Sequence, residues 1–410
     1  MKILICNKFF FPFGGTERYL FDLRTGLSAL GYTVIDFSTK HISNIHSTYS
    51  DFFVSNIDLS KISFLSFAHN LNLAINFIYS FEAKNNIEQL IDKYRPDVAH
   101  LHNIYHHLST SILNVLRRKR IPVVMTLHDY KLICPNYSLF VNNSPCEKCK
   151  KERYFNAIMH RCLKDSYLAS FLACIEMYFC KIFKIYEKNV DLFIAPSIFL
   201  KNKMIEFGID PNRIHYLPHA INLEFFTPNF KIGKYILYFG NISSRKGVET
   251  LIRSAKNIKV PIKIVGDGPD RMKLEAFVRK NHLINIDFLG YRSIQELANF
   301  IRDALFVVVP SKWYEVAGLN IYESFASGKC VIGANIGAIP ELIEDRYTGL
   351  LFSPGDYEDL LEKMLYLIDN PLYLKEWGRN AYEKIHKLNN RTAHYQELVN
   401  IYKNLIAKYH

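Results

Sequence analysis

Glu315 and Glu323 enclose seven residues, Val316-Ala317-Gly318-Leu319-Asn320-Ile321-Tyr322, and follow the apolar run Phe306–Val309. The spacing predicts a strand, a loop carrying Glu315, and a helix that begins near Gly318 with Glu323 in its second turn. The first N–H groups of such a helix, at Gly318, Leu319 and Asn320, find no partner within it, and the helix dipole favours an anion there. Carboxylates are poor phosphate ligands but accept well from hydroxyl groups. The pattern therefore suits a molecule in which a phosphate lies between hydroxyl-bearing parts, although two solvated glutamates at a helix start would read the same way.

Other strand ends carry complementary groups. Phe239-Gly240-Asn241-Ile242-Ser243-Ser244-Arg245-Lys246-Gly247 follows an apolar run, and Arg245 and Lys246 can meet negative charge developing on a leaving diphosphate. Near the N-terminus, Gly14-Gly15-Thr16-Glu17-Arg18 opens a helix, where two glycines let backbone N–H groups approach an anion. No G-x-G-x-x-G is found there, which argues against dinucleotide-dependent redox chemistry. Thr126-Leu127-His128-Asp129 ends a strand with a histidine. Gly266-Asp267-Gly268-Pro269 and Phe288-Leu289-Gly290-Tyr291 place further turns at strand ends.

Alternating strands and helices must position these groups. Strands are expected at Ile3–Cys6, Thr33–Phe37, Asp97–Leu101, Val123–Leu127 and Leu192–Ala195. A second set follows at Tyr235–Phe239, Ile262–Val265, Ile286–Leu289, Phe306–Val309 and Val331–Gly333. Two such sets imply an α/β chain of two doubly wound, Rossmann-like lobes, with ligands beyond the carboxyl ends of the strands and the site in the cleft between lobes. The expected division is residues 1–200, 201–388, and a last helix over 389–410 that returns to the first lobe. Pro211, Pro218 and Pro228 punctuate the junction.

The 410 residues are 49% hydrophobic and 22% charged, which excludes a disordered or low-complexity chain. Lys and Arg number 51 against 39 Asp and Glu, a net charge of +12 that calls for an anionic partner. The first residues read as a strand rather than an export signal. With no apolar run long enough to span a bilayer, the expectation is a cytoplasmic protein, one that docks at the inner face of the cell membrane. The basic run Arg117-Arg118-Lys119-Arg120 and the aromatic helix Tyr167–Tyr186 are the candidates for that contact, the alternatives being a solvated helix cap and packing on the sheet. Four of the eight cysteines, Cys134, Cys146, Cys149 and Cys162, fall in an insertion at about 130–165 with spacing suited to structural zinc or to a cluster of free thiols. His100, His102, His106 and His107 crowd another strand end, where His100 and His102 share one face and one of them could line the cleft, the alternative being solvated or core histidines.

Taken together, Gly14-Gly15, His128, Lys246-Gly247, Gly266-Asp267-Gly268-Pro269 and the Glu315-x7-Glu323 pair resemble the retaining glycosyltransferases of family 4, which have the GT-B fold. The resemblance implies a nucleotide-diphosphate-sugar donor held by the second lobe, a saccharide or lipid-linked acceptor presented by the first, and no catalytic metal. By position, Glu323 would bind the donor ribose and Glu315 the hydroxyls of the transferred sugar. Gly318 and Leu319 would hold the diphosphate with Lys246, His128 would touch the sugar, Gly15 the phosphates, and Gly290-Tyr291 the base. Where the family often has Arg, this chain has Asn241, and Arg245 is the substitute. Ala317 replaces a frequent aromatic. A sugar-nucleotide epimerase could share such lobes without needing Glu315 and Glu323 so placed. A zinc-containing nucleic-acid-binding protein would explain charge and cysteines but not the anion sites, so no nucleic-acid partner is expected.

Overall fold

Apolar runs of four or five residues flanked by helical patterns become strands buried on both faces, as a parallel sheet between two helix layers requires. The computed structural model describes residues 1–12, 14–56 and 78–409. Phe13, in the first glycine turn, lies outside them. In the first lobe β1 (Lys2–Cys6), β2 (Thr33–Phe37), β3 (Val98–Leu101) and β4 (Val123–Thr126) precede a two-residue hairpin, β5 (Phe140–Val141) with β6 (Ser144–Pro145). β7 (Leu192–Ala195) and β8 (Ile214–Tyr216) complete a parallel sheet of order β2-β1-β3-β4-β7-β8. The second lobe repeats the plan with β9 (Ile236–Phe239), β10 (Ile262–Val265), β11 (Ile286–Gly290), β12 (Phe306–Val309), β13 (Val331–Ala334) and β14 (Gly349–Phe352). Its order is β11-β10-β9-β12-β13-β14.

The first lobe runs beyond residue 200, the expected division, into the stretch 200–230 in which Pro211, Pro218 and Pro228 marked the junction. β8 pairs with β7 through Ile214, His215 and Tyr216, so the junction follows Tyr216. Prolines on either side mask this three-residue strand in the sequence.

Five helices matter for the site: α1 (Gly15–Ala29), α2 (Tyr167–Ile182), α3 (Ile198–Glu206), α4 (Leu319–Ala326) and α5 (Arg391–Tyr409). The expected single helix over Tyr167–Tyr186 stops at Ile182, because Lys184 turns into the left-handed region before a second helix at Ile185–Asn189. α5 returns to the first lobe. Tyr402, fully buried, places its hydroxyl 2.6 Å from His100 Nδ1, and the Tyr395 hydroxyl donates to Asp22 O at 3.0 Å. Gly26 makes this docking possible, since a Cβ there would lie 2.2 Å from the Tyr395 ring.

The lobes meet through specific bonds. Tyr130 Oη donates to Tyr314 O at 2.9 Å, and Tyr314 Oη donates to Glu147 Oε1 at 2.9 Å. Glu341 of the second lobe accepts from the Ile198 and Phe199 N–H groups at the start of α3, where the helix dipole favours a carboxylate. Among the described residues, no helix is long and apolar enough to cross a membrane.

Candidate functional site

In the second lobe the strand order reverses between β9 and β12, so the loops leaving those strands bound the crevice where a doubly wound sheet takes its ligand. The β9 loop ends in a single tight turn, Ser244–Lys246, closed by Gly247 at φ +68°. A Cβ on Gly247 would sit 1.8 Å from Pro310 O, so only glycine lets this loop lie on the β12 loop. Lys312 N donates to Arg245 O at 2.8 Å and ties the two together. The Gly266–Pro269 turn supports the same loop from the other side: Ile242 N bonds Asp267 O at 2.9 Å, and Gly268 leaves no room for a Cβ against Ile242.

The loops bring Lys246 and Glu315 into contact. Lys246 Nζ lies 2.6 Å from Glu315 Oε1, and the Ser311 hydroxyl donates to the same oxygen. Glu315 is only 5% exposed. Burial opposes its ionisation, but the Lys246 ammonium and the hydrogen bonds from Lys246 and Ser311 outweigh it, holding the carboxyl below its ordinary range. The Arg245 guanidinium stacks over the Trp313 ring, 4.7 Å from its centroid. Ser243 Oγ is buried without a hydrogen-bond partner in the protein, an acceptor and donor left for a ligand.

Gly318, at φ +63°, starts α4, and no side chain caps the N–H groups of that helix. α1 likewise starts behind Gly14 with no side-chain cap. The two helix starts face each other across the cleft: a Cβ on Gly15 would be 3.2 Å from Leu319 Cδ1. Beside them Arg18 of α1 forms an ion pair with Glu323 of α4 and donates to Asn222 O at 3.1 Å. Glu323, expected to serve a ribose, is thus already engaged by a cation from the opposite lobe.

The first-lobe wall is made of neutral rings. His128 Nε2 lies 2.8 Å from His102 Nδ1, and the Tyr19 and His219 rings pack against His128. Burial lowers the His128 pKa to about 3 and pushes His102 well below its ordinary value, so both are uncharged imidazoles at neutral pH. His128 therefore offers a hydrogen bond rather than a proton. His100 belongs to the core beneath α5, bonded to Tyr402 and Thr126, and does not line the cleft. His106 packs against the buried Lys131–Glu176 ion pair.

Of the residues expected from sequence, Lys246 and Glu315 are in contact, with Arg245 in the turn that carries Lys246, Gly318, Leu319 and Asn320 at the start of α4 just after Glu315, and Gly14 and Gly15 opposite. Gly290 and Tyr291 are apart from them, at the end of edge strand β11, with Tyr291 exposed. Sequence reasoning reached His102 only as one of two histidines that could line the cleft, and gave no role to Ser311, Ser243 or Arg18. Their only signal was position beside an assigned residue. The basic run at 117–120 is largely spent within the protein: Arg118 pairs with Glu88, Lys119 with Asp92, and Arg117 bonds the Tyr409 hydroxyl.

The family model described as Glycosyltransferase Family 4 matches residues 13–225, and that described as Glycosyl transferases group 1 matches residues 222–384. A glycosyltransferase of Methanocaldococcus jannaschii is 36% identical over 203 residues, 49% of this chain and 56% of that one. A 42.6 kDa protein of the cps region of Klebsiella pneumoniae is 25% identical over 363 residues, covering 83% of this chain and 87% of its own length. Among solved structures, sucrose-phosphate synthase of Thermosynechococcus elongatus superposes with a TM-score of 0.74 at 20% identity over 99% of both chains. HepE of Anabaena, solved with UDP-glucose, gives 0.68 at 17% identity over 98% of this chain and 100% of that one. Two facing parallel-sheet lobes with matching family signatures in each leave one assignment: the chain belongs to glycosyltransferase family 4 and has the GT-B fold.

Proposed function

We propose that this glycosyltransferase is a retaining, metal-independent enzyme that moves a sugar from a nucleotide-diphosphate-sugar to an acceptor hydroxyl. The observation that carries the reading is the Lys246–Glu315 contact at the strand-order reversal, facing two uncapped helix starts. A diphosphate placed there would meet Lys246, Arg245 and the N–H groups of Gly318, Leu319 and Asn320, with Gly14 and Gly15 closing from the first lobe. Glu315 would hold hydroxyls of the transferred sugar, His128 would add a neutral hydrogen bond, and Glu323 would take the ribose while sharing Arg18. Gly290 and Tyr291 would reach only the distal end of the donor, its base.

In the reaction the anomeric C–O bond breaks and its electron pair goes to the diphosphate. The acceptor oxygen forms the new bond on the same face, and its proton passes to a phosphate oxygen of the leaving group. Lys246, Arg245 and the helix starts stabilise the charge that accumulates, the task a divalent cation would otherwise perform. The closed lobes exclude water that would hydrolyse the donor.

The relative in a cps region and a D-rhamnosyltransferase of Pseudomonas aeruginosa, 27% identical over 191 residues, support a place in surface polysaccharide or glycolipid assembly. A peripheral membrane contact fits that place. Leu168, Phe171, Ile175 and Ile182 are exposed at helical spacing on α2, with Lys184 just beyond its end. The test is product analysis by NMR with a saccharide acceptor and an α-linked donor. An α-glycoside formed without added Mg²⁺ or Mn²⁺ is expected. A β-product, or an altered free sugar formed without acceptor as an epimerase would give, refutes the reading.

A further inference from the structure

Tyr130, Ile133, Cys134 and Leu139 tie the start of the insertion that follows β4 to the first-lobe core, but the rest of it has little to hold its shape. Its regular structure is the β5–β6 hairpin, a three-residue turn and the four-residue helix Asn156–Met159. Its separate apolar cluster is small: Cys149 and Tyr154 against Cys174 and Met177 of α2. Nine of the sixteen non-glycine residues with positive φ among the described residues fall between 137 and 165. A segment this irregular with so little core ordinarily needs a cross-link. Yet all eight cysteines of the chain are free thiols.

Four of those thiols gather in it. Asn136 links two of the cysteines: its Oδ1 accepts from Cys134 Sγ at 2.9 Å and its Nδ2 donates to Cys162 O at 3.3 Å. Cys146 N bonds Leu139 O at 2.8 Å, which brings the Cys146-x2-Cys149 turn beside the Cys134 loop. Cys134, Cys146 and Cys162 all lie near enough to Cys149 to act on it electrostatically. As the chain stands, no group of three His, Cys, Asp or Glu among the described residues is arranged to hold a metal ion. The ion itself would have to draw the sulfurs in.

We propose that Cys134, Cys146, Cys149 and Cys162 are the ligands of a structural zinc ion that fastens this insertion. Four thiolates with no open position suit zinc in a structural role and leave no place for a reacting water. A divalent cation removes the mutual repulsion of the sulfurs by binding them deprotonated. The consequence reaches the cleft. Glu147 lies inside the Cys146-x2-Cys149 turn, accepts from the Tyr314 hydroxyl at 2.9 Å and from Lys203 Nζ at 2.7 Å, and Tyr314 precedes Glu315. Zinc would thus hold the first-lobe side of a contact made by the loop that presents Glu315.

The test uses the full chain purified under reducing conditions without chelator. Elemental analysis should find one zinc per chain, and cobalt exchanged into the protein should give the intense visible bands of a tetrathiolate site. Cys162→His should retain the metal, Cys174→Ser, beside Cys149 but outside the set, should also retain it, and Cys146→Ser with Cys149→Ser should lose it. No zinc above buffer background, with the four native thiols open to a thiol reagent, overturns the proposal. So does a folded Cys146→Ser/Cys149→Ser protein that keeps its zinc. If that variant fails to fold, cobalt bands typical of nitrogen or oxygen ligands in the wild type overturn it.

Discussion

The two walls of the cleft solve different problems. On the second lobe an ionised pair, Lys246 and Glu315, sits in loops locked by glycine and by backbone bonds. The first lobe presents His128 backed by His102, His219 and Tyr19, all uncharged. On the function proposed above, the contrast would give charge stabilisation to one side and shape with neutral hydrogen bonding to the other. Arg18 breaks the pattern: it is the first-lobe cation that crosses to Glu323, so it couples the walls.

The largest expected effect tests the neutral wall. A histidine held neutral in the folded state, with its pKa lowered from 6.5 to about 3, favours folding above its unfolded pKa. That stability is lost as pH falls from 6.5 towards 3, because the unfolded chain takes the proton first. For His128 alone the loss is on the order of 4 kcal/mol across that window. His100 and His394, lowered to about 3 and about 4, act in the same direction. Urea unfolding at pH 7, 6, 5 and 4 should show a steep decline that His128→Gln makes shallower. A flat profile would mean that the folded wall takes up protons as readily as the unfolded chain does.

Next comes the charged wall. Lys246→Ala should cost about 3–4 kcal/mol of transition-state stabilisation, a fall in kcat of about 10²–10³, with circular dichroism unchanged. Near-normal turnover would remove Lys246 from the chemistry. Smaller is the coupling between the walls. Arg18→Gln leaves the buried Glu323 without its cation and should reduce kcat/KM for the donor by about 10-fold, consistent with about 1.5–3 kcal/mol for a hydrogen bond to a charged group. Equal kcat/KM in the variant would mean that the ion pair serves packing alone.

These assignments were unevenly legible in the sequence. Strands such as Ile236–Phe239 and Phe306–Val309 announce themselves by uninterrupted apolar runs, because both of their faces are covered. Ile214–Tyr216 carries His215 between flanking prolines and has no such run, and Gly349–Phe352 is led by a glycine. Lys246 and Glu315 could each be picked out by residue type and by place at a strand end. That they touch could not, since 69 residues separate them and only the shared sheet brings their loops together. The same limit hid Arg18 with Glu323 and His102 with His128. The net positive charge is a composition signal, and it divides only in three dimensions: Lys246 and Arg245 border the cleft, whereas Arg118 and Lys119 are matched by nearby acids.

The account rests on a nucleotide-sugar entering between Lys246 and the opposed helix starts. Thermal stabilisation of the wild type by a panel of UDP-, GDP-, ADP- and dTDP-sugars, repeated with folded Lys246→Ala, tests this most directly. One donor class should raise the Tm of the wild type and have little effect on the variant. No shift with any nucleotide-sugar, or an equal shift in both proteins, would contradict it.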